Sequence, residues 1–500
     1  LAQDLYLAID IGTGSARAAL VDFAGRIQAI AAQEYDQIVP QYGWSEQRPL
    51  DWWAGVVSSI RQLLAKDPGI AARIAAICAC GQMHGTVLLD GQGQLTRDAV
   101  PLWNDKRTAA LVKAFEAKYK PADYLAQSAN PPTPAWPGFK LQWLRDADTA
   151  AYESARAVVM PKDYVNFRLT GEIAMDRTEA ACSFLMDPAT GAWSQHMCNI
   201  LGLDIGKLVA IRQPTDILGA VSKVAAAETG LPAGVPVMVG GGDFPVALLG
   251  SGVSRAGLCS DVTGTSAIIT VVAEKPLLDP EISNIGTVDG GWGGFVLLES
   301  GGDSMRWARR AFHEKTLSYE EIVAKAETVP PGADRLFFLP YLTGERFGAH
   351  RNSRAQFFGI TAEHGVGHLH RAVMEGVAFA VTRQMRIMEQ AAGRKLERVI
   401  ASGGGAKTPL WLKIKASAYN IPILVPEEAE CGVVGCAAIA AAATGRFRKA
   451  EEAADAFVHY KGETQPDPAW ADIYQRMQPV FNRLYQHSQA LYDDLDALKA

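Results

Sequence analysis

An α/β fold built from two similar halves follows from three observations on this chain of 500 residues. Strand-like and helix-like segments alternate along its whole length. A turn of glycines and hydroxyls behind an acid, Asp10-Ile-Gly12-Thr13-Gly14-Ser15, has a counterpart near mid-chain in Asp261-Val-Thr263-Gly264-Thr265-Ser266. An apolar content of 48% over this length supplies more core than a single domain holds. The boundary is placed near Gly250, which gives domains 1–250 and 251–500.

The first element is a β-hairpin. Alternation around Tyr6, Ala8 and Asp10, then an apolar run over 16–21, predicts two strands joined by a tight turn whose glycines let backbone N–H groups approach an anion. The Walker spacing of Gly-Lys-Ser/Thr opening a helix is absent, and so is the three-glycine Rossmann spacing. The turn therefore reads as a different phosphate cradle, suited to a nucleoside triphosphate, with Asp10 placed to face a metal ion.

A helix follows. Pro49 and Asp51 supply its start, Trp52, Val56, Ile60, Leu63 and Leu64 its apolar stripe, and Asp67-Pro68-Gly69 its stop. Residues 74–80 read as a strand with Cys78 and Cys80 on one face. It runs into Gly81-Gln82-Met83-His84-Gly85 and a second apolar run over 86–89, and a glycine-bounded turn of this kind is where function often sits.

Residues 235–239 form a further strand, which ends in Gly240-Gly241-Gly242-Asp243. After the second hairpin, whose returning strand covers 268–272, a third glycine cluster, Ser402-Gly403-Gly404-Gly405-Ala406, separates a strand over 398–401 from a helix beginning at Pro409. The alanine-rich stretch 433–443 suits a packed helix and is too short to span a bilayer. Ile473, Met477, Val480, Phe481 and Leu484 keep helical spacing near the end.

Composition removes several functional classes. With 48 basic and 54 acidic side chains the net charge is -6, so no domain-wide positive field is available for nucleic acid. Cys78, Cys80, Cys182, Cys198, Cys259, Cys431 and Cys436 are odd in number and lack paired metal-ligand spacing, so they read as reduced structural thiols of a cytoplasmic protein. No secretory leader and no membrane role are expected.

Each glycine cluster alone is an ordinary turn. Together, two hairpins, a third glycine loop and a glycine-presented Asp243 could surround one nucleotide. At this point the chain resembles the FGGY carbohydrate kinases, members of the actin-like ATPase superfamily. The stretch Ala355-Gln-Phe357-Phe-Gly359-Ile360, continuing through His368-Leu369 to Ala372-Val373-Met374-Glu375, matches the second family signature at every constrained position. The first signature is matched in part, at Pro137, Lys140, Leu141, Trp143 and Leu144, with Ala135 where another residue is usual.

Within the family the likeness is greatest to xylulose kinases. It is carried by Trp44-Ser45-Glu46-Gln47, Trp52-Trp53, Gly81-Gln82-Met83-His84-Gly85, Leu102-Trp103-Asn104-Asp105, Pro161-Lys162-Asp163-Tyr164, Phe338-Leu339-Pro340-Tyr341-Leu342 and Gly344-Glu345-Arg346.

The resemblance implies two actin-like, ribonuclease H-like domains with the active site in the cleft between them, and phosphorylation of a ketopentose by ATP and Mg²⁺. D-Xylulose is the expected acceptor. Ribulose, a deoxyketose or another polyol is the alternative sugar, and an actin-like ATP-binding regulator is the alternative of another class. Asp243 would be the catalytic base and Asp10 the second catalytic acid and metal ligand. Thr13, Gly14, Ser15 and Arg17, with Gly264 and Thr265, would hold the phosphates, while Gly404, Gly405 and Ala406 would flank the adenosine. Met83 and His84 would contact the sugar, assisted by Trp103, Asn104 and Asp105. Sugar and ATP are the expected partners, and a homodimer is compatible with them. Two features depart from the xylulose branch. Phe244-Pro245 follows the expected base where Asn or Gln is common, and residues 12–17 look more like ribulose kinases.

Overall fold

The computed structural model describes residues 3–67, 69–313, 315–345 and 351–498, which leaves Pro68 of the expected helix stop and Arg346 of the last motif outside the described residues. The chain folds as two compact units. One comprises Leu1–Arg255, Glu274–Gly293 and Glu430–Val458; the other comprises Ala256–Ala273, Gly294–Ala429 and His459–Ala500. Where the sequence divides the chain once, at residue 250, the first unit thus runs to Arg255 and takes in two later segments.

The first unit is built on a mixed sheet of seven strands. They are β1 (Leu5–Ile11), β2 (Ser15–Asp22), β3 (Ile27–Glu34), β4 (Ile74–Gly81), β5 (Ile217–Ala220), β6 (Pro236–Met238) and β7 (Gly241–Gly242). The order is β5-β6-β4-β1-β2-β3, with β7 also on β4. The β1–β2 and β2–β3 pairs are antiparallel, while β1, β6 and β7 all run parallel to β4.

Both faces of this sheet are covered, and the two-residue period of a strand sorts its side chains between them. Leu5, Leu7, Ile9 and Ile11 of β1, with Ile74, Ile77 and Ala79 of β4, join Trp52, Val56, Ile60 and Leu63 in one core cluster. Those last four lie on one stripe of the helix Pro49–Leu64, which begins on Pro49 as expected. Truncating a residue such as Ile60 to Ala there costs about 2–5 kcal/mol.

Tyr6 and Ala8 of β1, with Ala76, Cys78 and Cys80 of β4, face a second cluster that includes most of the helix Cys431–Ala443. That helix is apolar nearly all round, so it is stable only where it is covered. Its glycine and alanine content allows backbone to meet backbone. A β-carbon at Gly250 would lie 1.8 Å from the Cys431 carbonyl oxygen, and one at Gly435 would lie 2.1 Å from that of Val246. The helix Asp243–Gly250 is thereby held along its length.

The second unit repeats the central motif. β8 (Leu258–Thr263) and β9 (Ala267–Ala273) make an antiparallel hairpin, and β10 (Arg398–Ser402) runs parallel to β8. β11 (Ile423–Pro426) and β12 (Tyr460–Thr464) extend the sheet in the order β9-β8-β10-β11-β12. Hairpin plus parallel strand is also the arrangement of β2-β1-β4.

The 27-residue helix Val366–Ala392 is buried along much of its length. Of the signature stretch at 355–375, residues 370–375 lie in this core, while Phe358 and Ile360 are exposed. Arg371 donates from Nε to Glu375 Oε1 at 2.8 Å, Tyr474 donates to the same oxygen at 2.8 Å, and both members of the Arg371–Glu375 pair are buried. Among the described residues no helix is long and apolar enough to cross a membrane.

Candidate active site

Three parallel strands of the first unit carry the candidate residues on the segments that leave the sheet at their carboxyl ends, where open α/β sheets bind ligands. β4 lies in the middle. Its Cys80 pairs with Asp10 of β1 on one side and with Gly241 of β7 on the other, and β4 runs out into Gln82-Met83-His84-Gly85. Asp243 directly follows β7 as the first residue of its helix.

The Asp243 carboxyl is pushed up to about 7, first by burial and then by the charge of Asp10, against the Phe244 N–H that donates to Oδ1 at 2.7 Å. Asp10 is also raised by burial, which the guanidinium of Arg17 opposes. A carboxylate raised towards neutrality is suited to take a proton from a hydroxyl.

The first hairpin turn is closed by Gly12 N–H donating to the Ser15 carbonyl at 3.0 Å. Thr13 is its anchor point: Gln47 Nε2 donates to the Thr13 carbonyl at 2.6 Å, and Trp103 Nε1 donates to Thr13 Oγ1 at 3.0 Å. A β-carbon at Gly14 would meet nothing within 4 Å, so the protein leaves open space over this turn. Arg17 stands opposite Asp10 in the hairpin register and is engaged by Glu430 at 2.8 Å.

Met83 is buried against the acid's own strand. A β-carbon on Gly242 would lie 2.8 Å from Met83 Cγ, so only glycine lets this turn approach. His84 adopts φ 68°, a left-handed conformation that a non-glycine residue takes only when its surroundings enforce it. Trp103 is 43% exposed, and Asn104 Oδ1 is buried with no hydrogen-bond partner among the described residues.

Asp105 is not brought to that surface. Its fully buried carboxylate accepts from Ser45 N–H at 2.6 Å and forms a two-point pair with Arg107, whose guanidinium lies 3.8 Å from the centre of the Trp44 ring. It scaffolds the loop that presents Trp103.

In the second unit, the Gly264-Thr265 turn lies beside two other loops. Gly302 N–H donates to the Gly264 carbonyl and Asp303 N–H to that of Thr265, both at 2.9 Å, while Arg306 reaches Thr265 Oγ1 at 3.0 Å. The Gly403-Gly404-Gly405 loop follows β10. Gly403 has φ 79°, and a β-carbon there would lie 2.6 Å from the Thr263 carbonyl oxygen; one at Gly405 would lie 2.8 Å from Thr263 Cβ. Gly404 is exposed and Ala406 half-buried.

Beneath these loops sits a buried network. Lys415 Nζ donates to Asp261 Oδ2 at 2.9 Å and to Thr263 Oγ1 at 2.7 Å, and Tyr419 OH donates to Asp261 at 2.8 Å.

Comparison with known proteins gives this geometry its context. Residues 5–250 match the FGGY family of carbohydrate kinases, N-terminal domain, and residues 260–444 match the C-terminal domain of the same family. This chain belongs to the FGGY carbohydrate kinases.

It is 30% identical to the xylulose kinase of Bacillus subtilis, with 99% of each chain covered. The crystal structure of xylulose kinase from Rhodospirillum rubrum superposes with a TM-score of 0.92 at 28% identity, covering 98% of this chain and 100% of that one. The gluconate kinase structure from Lactobacillus acidophilus superposes with a TM-score of 0.90 at 25% identity over 98% and 100%. The protein is therefore a sugar phosphotransferase, and ATP is the co-substrate of its family.

A magnesium ion carried with ATP fits the residues present. Mg²⁺ takes one or two carboxylates and completes its shell with phosphate oxygens and water. Asp10, with Asp243 near enough to feel its charge, offers such hard oxygens. Among the described residues no group of three or more His, Cys, Asp and Glu side chains forms a metal cage, and a shared Mg²⁺ does not need one.

Sequence reasoning did not single out Glu430, the Gly301-Gly302 helix start, Arg306, Glu179 or Lys415 in this FGGY kinase. The Gly301-Gly302-Asp303 run was a readable signal, because it repeats the glycine-plus-acid pattern of the other loops. The others gain meaning only from partners far away in sequence.

Proposed function

We propose that this FGGY kinase transfers the γ-phosphoryl group of ATP to the terminal hydroxyl of D-xylulose, giving D-xylulose 5-phosphate and ADP. The observation that carries the reading is the seating of Met83 on Gly242, which sets the sugar turn directly against the segment presenting Asp243. The sequence similarity to an enzyme named xylulose kinase supports the same acceptor.

In this assignment Asp243 takes the hydroxyl proton as the oxygen attacks the γ-phosphorus and ADP leaves. Met83 and His84 hold the sugar, with Trp103 and Asn104 at its edge and Asp105 acting through their loop. Thr13, Gly14, Ser15 and Arg17, with Gly264 and Thr265, bind the phosphates, and Gly404, Gly405 and Ala406 the adenosine. Residues 1–250 then serve the sugar and the first phosphate turn, and residues 251–500 the second turn and the nucleoside. Mg²⁺ on Asp10, when bound, neutralises phosphate charge. The seven cysteines, none in a disulfide bond and six of them buried, support a reducing, cytoplasmic setting.

The test is ATP-to-ADP turnover across a panel of ketoses, aldoses, polyols and sugar acids. D-Xylulose is expected to give the highest kcat/KM, and a strong preference for another member overturns the acceptor. A second reading is ribulose, a deoxyketose or another polyol as acceptor: Phe244, an aromatic ring next to the base in place of a polar partner for a hydroxyl, favours a deoxyketose, and residues 12–17 favour ribulose. Failure of every sugar to stimulate turnover would leave an ATP-binding regulator.

A further inference from the structure

His84 is held in its left-handed conformation by two buried side chains from two different helices. Its N–H donates to Glu179 Oε2 at 3.3 Å, and its carbonyl accepts from Lys140 Nζ at 2.7 Å. Both gripping residues are completely buried, in positions where a charged side chain is rare without a specific partner. The imidazole packs edge-on against Trp136, with ring centres 5.1 Å apart, and its Nδ1 stands 4.0 Å from the same Glu179 oxygen. Among the described residues neither His84 Nδ1 nor Glu179 Oε1 has a hydrogen-bond partner, although both are buried.

Glu179 is itself fixed towards the acid's strand. Its short helix, Arg177–Ala181, is capped by Asp176, whose carboxylate accepts from the N–H groups of Thr178 and Glu179. Thr178 Oγ1 in turn accepts from Gly242 N–H at 2.9 Å.

We infer that Glu179 and Lys140 are positioning residues that hold His84 for its contact with the sugar, with Glu179 selecting the ring tautomer that keeps hydrogen on Nδ1 and leaves Nε2 as an acceptor for a sugar hydroxyl. This inference rests on the proposed sugar-binding role of His84. A left-handed, non-glycine residue relaxes unless its peptide groups are engaged, and here one grip lies on each side of its Cα. Glu179 Oε2, which already acts as an acceptor towards the His84 N–H, is the carboxyl oxygen 4.0 Å from Nδ1, so a proton on Nδ1 would face an acceptor and leave Nε2 free. Burial and the Lys140 charge hold the imidazole neutral, which an acceptor nitrogen requires. Burial also brings Lys140 down to about 7 and raises Glu179 well above the carboxylate range.

The experiment is steady-state kinetics of wild type, E179A, E179Q, K140M and K140R on the wild type's best sugar, with ¹⁵N spectra of the His84 imidazole. E179A and K140M are expected to raise the sugar KM about tenfold, with kcat and ATP KM within about twofold of wild type. E179Q and K140R should recover part of the loss, and E179A should move the Nδ1 and Nε2 signals towards the other tautomer. Unchanged sugar KM in either folded variant, or an unchanged tautomer in E179A, overturns the inference. K140M replaces a buried cation by an apolar chain of similar length and keeps the test available if E179A fails to fold. Absence of sugar turnover in wild type is a separate result: it sinks the kinase reading, while the tautomer still decides the clamp.

Discussion

Arg17 is shared unequally between two acids: its guanidinium lies 2.8 Å from Glu430 and 4.0 Å from Asp10, its neighbour across the hairpin. The side chain is 41% exposed, so the pair adds only about 0–1 kcal/mol to folding. In its proposed phosphate-binding role, Arg17 would be drawn from Glu430 by a phosphate arriving at the turn. R17A should therefore leave the melting temperature within a degree or two while raising ATP KM about tenfold, the loss expected for one charge-assisted hydrogen bond. An unchanged ATP KM removes Arg17 from the phosphate site.

Asp243 predicts two pH effects of opposite value to the cell. In the proposed role of base it must be deprotonated, and with its carboxyl at about 7, kcat/KM should fall tenfold per unit at pH values below that. For stability, the folded carboxyl is raised above the ordinary 3.8, so between about 4 and 7 the native state keeps a proton that the unfolded chain has shed. Stability declines as pH rises through that window, by at most about 4 kcal/mol in total. D243N escapes this loss. It should melt above wild type at pH 8 and equal to it near pH 4, with turnover down by orders of magnitude and ATP binding retained. Wild-type turnover in D243N would remove Asp243 as base.

The residues that sequence reasoning found and those it missed differ in the range of their partners. β1 and β4 were readable because a sheet covered on both faces turns local alternation into two cores, with Leu7 and Ile9 in different positions from Tyr6 and Ala8. The turns at residues 240–242 and 403–405 were readable because close approach demands glycine whatever lies opposite, whereas Gly14 and Gly264 border open space. Glu179 looks like an ordinary surface charge in the chain, and Lys140 was visible only as a position of the first signature, without its partner; their meeting with His84 spans 95 and 56 residues. Arg17 meets Glu430 across 413. The signature at 355–375 identified the family by residue identity alone, and its buried end, around Arg371 and Glu375, packs the second unit's core.

Lys415 should matter to both stability and nucleotide. Removing a buried cation leaves Asp261 as an uncompensated buried carboxylate, at a cost of about 3–5 kcal/mol. K415M is expected to unfold at correspondingly lower denaturant. Because Lys415 also holds Thr263, against which Gly403 and Gly405 pack, ATP KM should rise while sugar KM stays constant. The double variant D261N/K415M should regain most of the stability, and a purely additive loss in that cycle contradicts the coupling.

Gly242 and Met83 give the sharpest test of how the sugar turn is placed. A β-carbon at 242 would lie 2.8 Å from Met83 Cγ, 2.9 Å from Sδ and 3.0 Å from Cε, so the clash runs along the whole side chain and no rotation of its tip clears it. G242A must push Met83, and with it the turn that carries His84, away from Asp243. Misplacement of about an ångström between reacting groups costs on the order of a hundredfold in rate, so kcat/KM for the sugar should fall by that order while ATP binding is kept. M83A shortens the obstructing chain. The double variant G242A/M83A should therefore be more active than G242A alone, even though M83A by itself weakens sugar binding. A double variant no better than G242A would mean that Gly242 serves the backbone of Asp243 instead of the Met83 contact.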